Sequence, residues 1–166
     1  MTNGSVFVLD SNVFIQAKRH YYAFDLAPKF WTSLIQQIST GQVRSIDRVK
    51  HELRRGRDNL TTWVNGAGSN AFLPTTGPQV QQAFGALMTW VNGQPQFTPA
   101  AKAEFASVAD GWLVAHCQVN NHVVVTLEVE NPDIKKKVPI PNVCRAFNVQ
   151  FINTFEMLRR LGVQFA

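Results

Sequence analysis

Apolar positions along the chain alternate between short unbroken runs and stretches at helical spacing. Val6-Phe7-Val8-Leu9 is a continuous apolar run, β-branched and aromatic, that stops at Asp10. Such a run predicts a strand covered on both faces, the usual state in a parallel sheet. Asp10-Ser11-Asn12 follows, three residues able to cap a helix, before Val13-Phe14-Ile15-Gln16-Ala17. Pro28 then begins a helix with Phe30, Trp31, Leu34, Ile35 and Ile38 at helical spacing and Gly41 as its stop. Val43-Arg44-Ser45-Ile46 predicts a short strand. Asp47 is placed to cap the next helix, in which Val49 and Leu53 share a face and Gly56 marks the end.

The stretch from Asn65 to Pro99 is rich in Gly, Pro, Asn and Gln, and predicts one amphipathic helix around Val80, Phe84, Leu87, Met88 and Val91. The last third repeats the opening rhythm. A helix is expected over Ala109 to Val119, with Asp110 in its first turn, then a second wholly apolar strand at Val123-Val124-Val125-Thr126. After Lys135-Lys136-Lys137 and a Pro139-Ile140-Pro141 break, a final helix is expected over Phe151 to Leu161. Helices alternating with short apolar strands imply an α/β fold, a three-layer α/β/α sandwich with a small parallel sheet, occupying residues 1–166 as a single domain.

Composition agrees with a folded globule: 45% of the 166 residues are hydrophobic and 16% are charged. Lys and Arg number 16 against 11 Asp and Glu, for a net charge of +5 and an isoelectric point near 9.6. This balance makes a polyanionic partner plausible without establishing one. Met1 to Ser5 shows no secretory leader, and no window approaches the ~18 apolar residues of a membrane span. Cys117 and Cys144 are distant in sequence and read as buried free thiols, so a cytoplasmic protein with no membrane partner is expected. The histidines have no zinc-ligand spacing, and neither a Gly-rich phosphate loop nor a G-x-S-x-G elbow is present.

The scarcity of acids directs attention to where the acids fall. In open α/β sheets, sites form beyond the carboxyl ends of the strands. Asp10 directly follows the first strand, Glu128 follows the Val123–Thr126 strand by two residues, Asp110 opens a helix, and Glu52 lies on the helix after the second strand. Taken singly, Asp10 and Asp110 also read as helix caps, Glu52 as a solvated helix residue near Arg55, and Glu128 as a loop acid. Taken together, four carboxylates near one sheet edge would repel one another unless a divalent cation joined them. Such a pocket on a basic protein points to metal-dependent chemistry on a phosphate ester.

These same residues carry a family resemblance. Val8-Leu9-Asp10-Ser11-Asn12-Val13-Phe14 resembles the opening strand and turn of PIN-domain nucleases. Val49-Lys50-His51-Glu52-Leu53 resembles their second motif, a Glu-Leu on a helix. Ala109-Asp110 with Leu113-Val114-Ala115-His116 resembles the third, and Val124-Val125-Thr126-Leu127-Glu128 the fourth, a strand ending Thr-x-Asp. The likeness spans most of the chain in the right order. It is nearest to a PIN-like subfamily with an Asp-Ser-Asn-Val-Phe opening and a Thr-x-Glu fourth motif. Two departures stand out: Glu128 replaces the usual Asp, and the acidic-Phe ending after that motif gives way to Val129-Glu130-Asn131-Pro132-Asp133, with Asp133 a candidate substitute acid.

The resemblance implies a Mg²⁺- or Mn²⁺-dependent endoribonuclease hydrolysing RNA phosphodiester bonds. It assigns the metal to Asp10, Glu52 and Asp110, lets Glu128 complete the catalytic cluster or orient the attacking water, and gives Asn12 and Thr126 the task of steadying the carboxylates. Many members of the family are VapC-type toxins of toxin–antitoxin pairs, so an antitoxin protein and a second copy of the chain join RNA as expected partners. The alternative is a catalytically weak PIN-like module that binds RNA or protein. Arg44, Arg48, Lys50, Arg54, Arg55 and Arg57 around the helix of Glu52, and the run Lys135 to Lys137, are candidate phosphate contacts. The aromatics fall mostly at core spacing, with Tyr21-Tyr22 the one pair placed for stacking on a base.

Overall fold

The computed structural model describes residues 4–164. Met1, Thr2 and Asn3, which belong to the stretch read for a leader, lie outside the described residues, as do Phe165 and Ala166. The chain runs β1 (Phe7–Leu9), α1 (Ser11–Gln16) continuing into a π-helical turn (Ala17–Tyr21), α2 (Pro28–Ser39), β2 (Val43–Ile46), α3 (Asp47–Arg54) and α4 (Asn59–Asn65). It continues through β3 (Phe72–Leu73), α5 (Pro78–Asn92), α6 (Pro99–Ser107), α7 (Asp110–Asn120), β4 (Val123–Val125), α8 (Ile140–Ala146), β5 (Phe151–Ile152) and α9 (Thr154–Leu161).

The five strands form one parallel sheet in the order β3-β2-β1-β4-β5. β1 therefore lies at the centre, with Phe7 beside Val43 on one side and Val123 on the other. Every residue of β1 and β4 is buried, as their unbroken apolar runs require of strands covered by helices on both faces. The chain first builds outward from β1 through β2 to β3, then returns to β4 on the opposite side. Where strand order reverses in this way, the connections leave the carboxyl edge in opposite directions and a crevice opens between them. α7 leads into β4 and must run back along the sheet, which carries its N-terminus to that same edge.

A cluster of aromatic rings fills the space under α1 and α2: Trp31 meets Trp63 at 5.1 Å, and Phe14 meets Trp63 at 5.9 Å and Phe72 at 6.0 Å. Gly68 is required there, because a Cβ at that position would come within 2.4 Å of the Trp63 ring. Cys117 and Cys144 are buried free thiols, as their spacing predicts.

The structure differs from the sequence expectation at several elements. Phe151 and Ile152 form the edge strand β5, and the final helix begins only at Thr154, where the Asn153 side chain accepts the Glu156 N–H at 2.9 Å. Pro139-Ile140-Pro141 is the start of α8 and not a break, since proline in a first turn lacks only an N–H that has no helical partner. Asp47 is inside α3 and does not cap it. Its carboxylate instead accepts the Thr75 hydroxyl at 2.8 Å and the Thr75 N–H at 3.0 Å, tying α3 to the segment after β3. α4, capped on both sides of its first turn by Asp58 and Thr61, and α6, capped by Thr98, are further helices.

Candidate active site

Asp10 emerges from β1 with its backbone N–H bonded to Val125 O at 3.0 Å, which fixes it against β4. It holds the N-cap position of α1, yet its carboxylate makes no capping bond beyond the neighbouring Ser11 N–H. Instead Oδ2 accepts the Thr126 hydroxyl at 3.2 Å from the end of β4. Glu52, on α3, is fixed at both oxygens: Ser11 Oγ donates to Oε1 at 2.5 Å and the Ala109 N–H to Oε2 at 3.1 Å. Asp110 is the first residue of α7, and no side-chain hydrogen bond reaches its carboxylate among the described residues. Glu128, in the loop after β4, accepts the Ile140 N–H at 2.9 Å on Oε1 and Lys137 Nζ at 3.3 Å on Oε2.

The fold brings all four carboxylates to one cleft of about 340 Å³ at the carboxyl edge of the sheet, with Ser11, Asn12, Arg55, Glu104 and Lys137 also on its walls. Burial, followed by the negative charges of Glu128 and Glu52, pushes the Asp10 carboxyl up to about 7, against the Thr126 and Ser11 hydrogen bonds that lower it. Asp110 is pushed up to about 8, first by burial and then by Asp10 and Glu128, with Lys137 opposing. Two carboxyls so displaced mark a buried site where negative charge is crowded and only partly offset by Lys137.

Hard oxygen donors with this surplus charge fit a small divalent cation. Among the described residues no three His, Cys, Asp or Glu side chains are gathered tightly enough to ligate one ion together. That agrees with the hydrogen bonding, because Glu52 and Glu128 already have both oxygens engaged while Asp110 has neither. Mg²⁺ is commonly held by one or two carboxylates and keeps several waters, a requirement that Asp10 and Asp110 meet.

Other expected residues fall differently. Thr126 steadies Asp10, but Asn12 is exposed at the cleft and bonds none of the carboxylates; Ser11, read only as a cap, supplies the hydroxyl that fixes Glu52. Lys137 turns into the cleft, a role its place in a three-lysine run does not suggest. Asp133 is exposed on its loop and does not line the cleft. Of the basic cluster, Arg44 bonds Ile38 O at 2.7 Å at the end of α2, and Lys50 lies 5.8 Å from the Phe72 ring, whereas Arg48 and Arg55 face grooves. Tyr22 stacks on Phe30 at 4.2 Å, leaving only Tyr21 largely exposed. His116 Nε2 and His122 Nδ1 share a hydrogen bond at 3.2 Å, which the sequence spacing does not announce.

The family model described as a domain of unknown function, DUF4411, matches residues 7–165. The chain belongs to the DUF4411 family. No curated protein matches this DUF4411 chain. Its fold is similar to that of VapBC2 from Rickettsia felis, solved bound to a DNA fragment from the promoter, with a TM-score of 0.59 at 14% identity over 89% of this chain and 98% of that one. FitAcB from Neisseria gonorrhoeae gives 0.55 at 16% identity, covering 90% of this chain and 99% of that one. FitAB bound to the IR36 DNA fragment gives 0.52 at 15% identity, over 89% and 94%. At these identities the likeness shows the fold, which for this DUF4411 chain is α/β and PIN-like, with a five-stranded parallel sheet flanked by helices. None of its described helices is long and apolar enough to cross a membrane.

Proposed function

We propose that this chain is a Mg²⁺- or Mn²⁺-dependent endoribonuclease that hydrolyses RNA phosphodiester bonds in the acidic cleft. The observation that carries the reading is the convergence of Asp10, Glu52, Asp110 and Glu128, from four separate elements, with Asp10 and Asp110 left without a basic partner bonded to either carboxylate. Asp10 and Asp110 would hold the cation, with Glu52, expected as a third ligand, beside them in the same cleft. The cation supplies a bound water of lowered pKa and neutralises charge on the phosphate. Thr126 keeps Asp10 in one orientation. Ser11 and the Ala109 amide keep Glu52 turned into the cleft as a hydrogen-bond acceptor. Glu128, fixed by Ile140 N–H and Lys137, orients water at the rim, and the exposed Asn12 is free to bond the RNA.

The likeness to VapBC2 and FitAcB supports a toxin of a toxin–antitoxin pair with an antitoxin protein as partner; the cytoplasm as its place and a homodimer as its assembly complete the reading. One observation favours a second reading, a PIN-like module that binds RNA or protein without cutting: Glu128 is already ion-paired with Lys137. Incubating purified protein with labelled single-stranded RNA in Mg²⁺, Mn²⁺ or EDTA separates the two. The nuclease reading requires cation-dependent cleavage that disappears in Asp10→Asn and Asp110→Asn. Cleavage that survives either substitution, or RNA binding with no cleavage under any cation, would sink it.

A further inference from the structure

We propose that the groove beside the acidic cleft, walled by Arg48, His51 and Arg55, is the track that holds the backbone phosphates of a single-stranded polynucleotide. The inference rests on the nuclease reading and adds to it the place and chemistry of substrate binding. Residues three and four apart share a helix face, so Arg48, His51, Glu52 and Arg55 follow one another along one side of α3 and its C-terminal turn. That side forms one wall of a second concavity of about 340 Å³, whose opposite wall is Ser107, Val108 and Ala109. Glu52, Arg55 and Val108 line both this groove and the acidic cleft, so the two are continuous.

The groove's acids are already satisfied and its bases are not. Asp47 accepts from Thr75 and from the Arg48 N–H, and Glu52 from Ser11 and Ala109. Neither Arg48 nor Arg55 forms an ion pair among the described residues. Arg48 is also held in place: its guanidinium lies 3.8 Å over the Trp112 ring, and Nε donates to Thr75 Oγ1 at 3.0 Å. Its Nη groups have no acceptor among the described residues. A planar cation fixed in this way, with little rotamer freedom left to lose, suits phosphate oxygens. Phe84 stacks on Trp112 at 3.8 Å, so both faces of the indole are covered and no base can stack there. The track therefore reads phosphate and not base, and a concavity of this size admits one strand.

The probe is a fluorescent single-stranded RNA of mixed sequence, titrated against the Asp10→Asn protein so that no cutting intervenes, at a series of salt concentrations. For single strands each phosphate contact contributes about −0.7 to the slope of log affinity against log salt. Replacing both Arg48 by Gln and Arg55 by Ala should weaken binding, make the slope shallower by about 1.4, and do so equally for RNAs of different sequence. Arg48→Gln keeps a planar polar group over Trp112, and Arg55→Ala alone, at an exposed position, gives a folded control whose expected change is about 0.7. An unchanged slope in both, or no RNA binding by the parent, overturns the track. The cleavage assay is read on protein carrying Asp10. Cleavage with unchanged slopes rejects the track alone, and shallower slopes without cleavage reject the nuclease alone.

Discussion

Ser11, the residue after Asp10 in the chain, donates its hydroxyl to Glu52 Oε1 at 2.5 Å. The loop that carries one cleft acid thereby sets the position of another, delivered from a different strand connection. A hydrogen bond to a charged group contributes roughly 1.5–3 kcal/mol, less at a half-buried site such as this. Ser11→Ala should therefore cost about 1 kcal/mol of stability and lower cleavage by about tenfold, since 1.4 kcal/mol of lost positioning corresponds to that factor. Ser11→Thr, which keeps the hydroxyl, should recover most of the rate. Equal rates for wild type and Ser11→Ala would show that Glu52 needs no help in facing the cleft.

Asp10 and Asp110 make the pH dependence of stability distinctive. Their carboxyls lie at about 7 and about 8 in the folded protein against 3.8 for an unperturbed Asp. Between these limits the folded state binds more protons than the unfolded state, so stability falls as pH rises from about 4 through 8. In EDTA the melting temperature should drop across that window, and Asp110→Asn should flatten the drop. Mg²⁺ should raise the melting temperature more at pH 8 than at pH 5, because at pH 5 protons occupy the same oxygens. A melting temperature that rises steadily from pH 5 to 8 in EDTA would contradict the crowding of charge described for this cleft.

Among the described residues Lys137 is the one ammonium in the cleft wall, paired with Glu128 at 3.3 Å and lowering the Asp110 carboxyl. Its own ammonium is held above the usual range: partial burial opposes this, but Glu128, Asp110 and Asp10 together outweigh it. It acts as a resident counter-ion, and removing it should relieve like-charge repulsion against an entering cation. Lys137→Met should tighten Mn²⁺ binding by roughly two- to fivefold, the scale of one solvent-exposed charge pair. Calorimetry at pH 9, where the carboxyls are ionised, measures this without competition from protons. Unaltered or weaker Mn²⁺ binding would mean that Lys137 does not oppose the cation.

Gly111, next to Asp110, packs so closely that a Cβ would lie 3.0 Å from Phe105 Cε2 and 3.3 Å from Phe84 Cε1. Phe105 is buried and Phe84 is stacked on Trp112, so neither ring can move freely. Overpacking costs typically 1–3 kcal/mol, offset by up to about 1 kcal/mol from the helix preference of alanine over glycine. Gly111→Ala should lower the melting temperature by about 2–4 °C and weaken Mn²⁺ binding by shifting the first turn of α7. A more stable protein with wild-type metal affinity would show that the rings yield.

The parts of this fold legible in the sequence are those whose signal is local and strong. β1 and β4 are apolar runs of three buried residues, β2 sets buried Val43 and Ile46 at its two ends, and α2, α5 and α7 show clear helical spacing. Phe72–Leu73 and Phe151–Ile152 were not separable, because two half-buried residues in an edge strand look the same as the flank of a helix. Asp10, Glu52, Asp110 and Glu128 could be singled out because each follows or opens a recognisable element. The hydroxyl of Ser11 and the ammonium of Lys137 could not, since their partners lie 41 and 9 residues away and no spacing rule links them. The Arg48–Trp112 contact was equally hidden, for it joins two helices whose relative placement only the sheet order determines.

The bond between Thr126 and Asp10 spans 116 residues of sequence. During synthesis Asp10, Glu52 and Asp110 all leave the ribosome before β4, whose pairing with β1 brings Thr126 and Glu128 into place. A chain that ends between Asp110 and β4 carries three of the acids without the strand that holds Asp10 against Thr126. Whatever the cleft does is withheld from the nascent polypeptide until its making is nearly finished, and an incomplete product is inert by construction.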